Sequence, residues 1–124
     1  MDINFAVGQC WRYQTLANFE ESRIIVGHIE PFENVGEIIC ISVTHAPIPR
    51  QNGNFLQATI PFMPFSRQAI EQTVTELDTI TDVPPDFNAG FENWKNDPDG
   101  FGFLQVPFMV LLTQISDDLI VKPN

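Results

Sequence analysis

Two runs rich in Ile and Val, joined by a short turn, constrain this chain more than any other feature. Residues 22–30, SRIIVGHIE, and 36–45, GEIICISVTH, are dense in β-branched side chains, which suit a pleated surface and lose rotamer freedom in a helix. The link PFENVG supplies Pro31, Asn34 and Gly36 for a turn. An antiparallel hairpin is expected. A register closed about that turn sets His28 near Ile39, His45 near Ser22, and Glu30 opposite Glu37.

The pattern extends on both sides. Residues 5–13 alternate, with Phe5, Val7, Trp11 and Tyr13 on one face and Cys10 and Arg12 on the other, as a half-buried strand does. A break follows the hairpin at APIPRQNGN, and residues 55–62, FLQATIPF, give a fourth strand with Leu56, Ala58, Ile60 and Phe62 on one face. Ser66 then opens the clearest helix. Its hydroxyl can cap the first free amides, and Phe65 before it can staple onto Ile70. Ile70, Val74 and Leu77 continue at i, i+4 and i+7, while Glu71, Thr75 and Asp78 face away.

Residues 79–86, with Pro84 and Pro85, read as a loop. A short helix at 87–95 aligns Phe87, Phe91 and Trp94, although Gly90 weakens it. NDPDG is a turn, 101–106 a last strand, and Pro107 opens a closing helix carrying Phe108, Leu111, Leu112 and Ile115. Strands precede helices, so the expected class is α+β: an antiparallel, curved sheet of four or five strands with two or three helices, most of them C-terminal. At 124 residues the chain is one domain, 1–124.

Charge narrows the partners. Sixteen Asp and Glu against six Lys and Arg give a net charge of −10. A phosphate backbone or an anionic leaflet calls for a basic surface that six scattered cations do not supply, so neither nucleic acid nor membrane is an expected partner. The start, MDINFAVGQCW, lacks the cations and the unbroken apolar stretch of a signal peptide. The longest apolar run, 103–112, is about half a membrane span. A cytoplasmic location is expected, and Cys10 and Cys40, outside any CxxC pair, read as buried free thiols.

No stretch satisfies a catalytic, metal or nucleotide motif. NDPDG places Asp97 and Asp99 as in a calcium loop, but the first ligand position then holds Lys95 and the closing one Val106. His28 and His45 have no Cys, Asp or Glu at zinc-like spacing along the chain. A carboxylate pair formed by Glu30 and Glu37 has no companion groups for acid–base work. There is no GxGxxG, Walker loop or GxSxG. No catalytic residue, metal ligand or cofactor is assigned, and the reading leans away from an enzyme.

Between Glu71 and Asp99 lie Glu71, Glu76, Asp78, Asp82, Asp86, Glu92, Asp97 and Asp99, with Lys95 as the single cation and Phe87, Phe91 and Trp94 interleaved. Acids around aromatic anchors suit a basic protein partner. The leading expectation is thus an acidic protein-binding module of the inhibitor or immunity type. The alternative is a small apolar-ligand module, its pocket lined by Trp11, Tyr13, Phe55 and Phe62. An enzyme stands third, and would need a pocket in which one of the histidines meets a carboxylate.

Several short signatures run through the chain: Val7-Gly8-Gln9 with Trp11 and Tyr13, Glu20-Glu21-Ser22, Ile41-Ser42-Val43, Met63-Pro64-Phe65-Ser66 leading to Val74-Thr75-Glu76-Leu77, and Trp94. In this order the chain resembles a family of small bacterial proteins with no established activity. The resemblance implies a bacterial origin and one compact domain, and it carries over no functional residue. Members of that family often have His at the positions of Cys40 and Phe62.

Overall fold

In the computed structural model, residues 3–15, 18–32, 36–50, 54–97, 102–105 and 108 are described. Five strands and two helices follow in the order β1 (Gln9–Tyr13), β2 (Arg23–Phe32), β3 (Gly36–Pro49), β4 (Phe55–Ser66), α1 (Arg67–Thr73), β5 (Val74–Ile80) and α2 (Phe87–Lys95). They build one open antiparallel sheet in the order β4-β3-β2-β1-β5. The α+β class expected from the sequence is the class observed. Among the described residues no helix is long and apolar enough to cross a membrane.

The central hairpin forms in the expected register from Arg23↔Thr44 to Val26↔Ile41, and the register moves by one residue beyond it. Gly27 is an extra residue in β2, so His28 faces Cys40 and not Ile39, and Glu30 faces Ile38 while Pro31 faces Glu37. The like-charged pair expected across the ladder is not made. β3 also runs on through the expected break to Pro49, and it pairs there with Phe55 of β4. β3 and β4 thus project as a two-stranded arm past Arg23↔Thr44, where the β2 pairing begins. Of the expected strand at 101–106, the described residues 102–105 hold a bridge between Leu104 and Phe65. Of the expected closing helix only Phe108 falls within the described residues.

The largest difference concerns the helix after Ser66. The cap is made, with Ser66 Oγ accepting from the Ala69 amide at 3.2 Å, but α1 ends at Thr73 and the chain returns as β5. The spacing that reads as helical has another origin. Val74, Leu77 and Ile80 pair with Tyr13, Trp11 and Gln9, and register shifts leave Thr75 and Asp78 as extra residues. Two bulges stretch the strand's period of two into a period of three. Gln9 also marks a later start of β1 than the alternation suggested, which leaves Val7 55% exposed.

Each face of the sheet has its own core. On the α1 face Ile24, Val26, Ile39, Ile41, Val43, Phe65, Ala69, Ile70 and Phe108 are fully buried, with Trp11 and Tyr13 nearly so. A buried polar thread crosses it: Tyr13 and Ser22 hydroxyls lie 2.7 Å apart, and Ser22 donates to the Thr44 carbonyl at 2.8 Å. On the α2 face Ile38, Cys40, Phe87 and Trp94 are buried, flanked by Phe62, Val83, Phe91 and Phe103. Gly90, unhelpful to a helix in isolation, lets α2 lie on Phe62, whose Cβ would stand 2.5 Å from a Cβ at that position.

Candidate functional site

The titratable groups gather on the α2 face because the helix runs alongside β2 in the same direction. Phe87 covers Gly27, where an added Cβ would meet the ring at 2.4 Å. One turn on, Phe91 lies 4.5 Å from the His28 ring, and at the helix end Lys95 Nζ reaches Glu30 Oε1 at 3.1 Å. His28 and Glu30 are two apart on one strand and so share a face, which brings His28 Nε2 to 2.7 Å from the same oxygen. A histidine does meet a carboxylate, a pairing that i, i+2 spacing in a strand encodes and that a search for zinc-like spacing overlooks.

Chemically this cluster is a clamp in which two donors converge on one carboxylate oxygen. The hydrogen bond from His28, with Lys95 adding to it, holds the Glu30 carboxyl below its ordinary value. Beside an ionised carboxylate, Nε2 is the donating nitrogen of the pair. The neighbour on β3, Cys40, offers no nucleophile: burial, then the charge of Glu30, push its thiol up to about 12. His45 is exposed, with a left-handed φ of 50° where β3 bulges between Val43 and Ala46. Cys40 and Phe62 also belong to the α2-side cluster. Among the described residues no three His, Cys, Asp or Glu side chains are placed to hold a metal.

The acids expected to meet a partner separate into two groups. Asp78 accepts from Arg23 at 3.1 Å and Arg12 at 3.3 Å, which holds its carboxyl below the usual value. Glu71 is bound by Arg67, which also pairs with Glu37, donates to the Ile3 carbonyl and lies over the Phe5 ring. Those acids serve the fold. Glu76, Asp82, Asp86 and Glu92 are exposed and enter no ion pair among the described residues. Asp97 is exposed, and Asp99 lies outside the described residues.

Beside the unpaired acids opens a cleft of about 320 Å³ lined by Gly27, Val83, Pro84, Pro85, Phe87 and Asn88. Asp82 and Asp86 flank its loop wall in sequence. The four rings expected to line an apolar pocket are not brought together. Trp11 and Tyr13 are packed into the α1-side core, Phe62 lies in the α2-side cluster against Trp94, and Phe55 pairs with Phe19 at 6.1 Å.

Comparison with known proteins supplies no assignment: no family model, no curated protein and no solved structure matches this chain.

Proposed function

We propose that this protein is a binding module of the inhibitor or immunity type, and that its α2 face receives a basic protein partner. The observation that supports this reading is the distribution of charge left after internal pairing. Of the five described Lys and Arg residues, Arg12, Arg23, Arg67 and Lys95 are engaged by Asp78, Glu37, Glu71 and Glu30. Of the described acids in no ion pair, Glu76, Asp82, Asp86 and Glu92 follow one another along β5, the loop after it and α2, beside a cleft, while Glu20 and Glu21 lie in the segment before β2. An apolar anchor seated in a desolvated recess with charges around it is the arrangement of an interface hot spot. The acids steer the encounter, and the cleft holds one side chain of the partner.

The test is capture from a lysate on the immobilised protein at low salt, followed by a salt gradient. A basic protein released at a defined salt step by the wild type, and not retained by the variant with Glu76→Gln, Asp82→Asn, Asp86→Asn and Glu92→Gln, is the expected result. Equal retention by both proteins refutes the reading.

A further inference from the structure

Every sheet leaves edges, and an unpaired edge is a template for another strand unless it is blunted. The β5 edge is blunted by two bulges and by the carboxylates of Glu76 and Asp78. The C-terminal half of β4 is covered by the following segment, with Leu104 N donating to Pro64 O at 2.9 Å and Ser66 N to Leu104 O at 2.8 Å.

The projecting arm shows the rule most clearly. Arg50 N donates to Asn54 O at 2.9 Å, which fixes the alternation of the ladder. Ile48–Leu56 and Ala46–Ala58 bond across the two strands, while Pro47–Gln57 and Pro49–Phe55 turn their backbone groups away. On the β3 side the outward positions are thus prolines, which have no N–H to offer a new strand. On the β4 side they are Phe55, Gln57 and Thr59, each with an amide and a carbonyl turned outward. Pro61 ends that series. Among the described residues, Phe55–Ile60 is the one stretch of edge with no proline, charge or covering segment, and the irregularity opposite Thr59 has its extra residue in β3 and not in this strand.

We propose that this stretch pairs with the same stretch of a second copy of the chain, antiparallel about a two-fold axis through Gln57. Phe55 of one copy then exchanges backbone bonds with Thr59 of the other, and Leu56, 49% exposed in the single chain, packs against Ala58. The register uses the three outward positions and stops before Pro61. Charge at this edge does not oppose a like chain. FLQATI carries none, so two molecules of net charge −10 meet where no acids oppose. Arg50, the one described cation outside any ion pair, lies at the tip of the arm, and antiparallel pairing carries it toward the acidic body of the other copy.

This inference does not rest on the proposed function: it lies at the opposite edge of the sheet from β5 and uses none of the four unpaired acids. The test is sedimentation equilibrium over a concentration series, with far-UV circular dichroism to check each variant's fold. Wild type is expected to approach twice 14.0 kDa, and concentration is expected to slow amide exchange at Phe55, Gln57 and Thr59. Gln57→Lys sets like charges across the axis, and Gln57→Pro removes an outward amide that the β3 ladder does not use; each should restore the single-chain mass. A wild type that stays at the single-chain mass at every soluble concentration overturns the proposal and leaves the edge to a strand of another protein. So does a dimer that survives Gln57→Lys with its fold intact, or a mass that climbs past two copies.

Discussion

The two faces of the sheet are built for different purposes. The α1 face closes over fully buried aliphatic side chains and Phe65, Ile70 and Phe108, and its polar atoms are few and satisfied. The α2 face is thinner: an apolar cluster with four buried members, a clamp of His28, Glu30 and Lys95, an ion-pair knot on Asp78, a cleft and unpaired acids. Buried apolar area dominates folding free energy, whereas partly exposed ion pairs contribute about 0–1 kcal/mol each. The difference teaches that stability resides mainly on one side, which leaves the other free to carry charge in excess of what folding needs.

The largest effect that sharpens this contrast is Phe65→Ala. Removing a fully buried ring should cost about 3–5 kcal/mol by chemical denaturation. A loss under about 1 kcal/mol would break the comparison. Gly27→Ala comes next, because the new methyl must displace the Phe87 ring that sits 2.4 Å away. The expected cost is about 1–3 kcal/mol, with altered near-UV dichroism from Trp94 and an α1-side core left unchanged.

Acid gives a smaller effect, confined to the α2 face. The Glu30 carboxyl is held below its ordinary value of 4.5 by His28 and then Lys95. A depressed carboxyl contributes stability that is whole above that value and is lost as pH falls through the lower folded value. Stability should therefore hold from neutrality down to about pH 4.5 and decline below it, as far as this group is concerned. Glu30→Gln should flatten that decline, at a cost at neutral pH of at most about 1 kcal/mol. An unchanged acid limb in the variant would show that the clamp is not felt by the fold.

What could be read from the sequence follows the same division. The Ile- and Val-rich strands were legible because burial writes itself as hydrophobic pattern. So were the Ser66 cap and α2 with its aromatic stripe. The boundary between α1 and β5 was not, since two bulges gave Val74, Leu77 and Ile80 a spacing that a helix also produces. The arm was hidden by Pro47 and Pro49, which read as breakers although they lie on positions that donate nothing to the ladder. The His28–Glu30 contact was encoded by strand spacing. Which acids stay unpaired was not, because Arg12 and Arg23 reach Asp78, and Arg67 reaches Glu37, from elements distant in sequence.

The central claim is that the acids beside the cleft act by position and not merely by adding to net charge. Two variants with the same charge change decide it: Asp82→Asn with Asp86→Asn, on the cleft's loop, and Glu20→Gln with Glu21→Gln, in the segment before β2. Titrating each against the captured basic partner at one ionic strength should show at least about tenfold weaker binding for the first pair, the equivalent of 1.4 kcal/mol, and near wild-type binding for the second. Equal weakening by both pairs would mean that only the total charge is sensed, and would contradict the account.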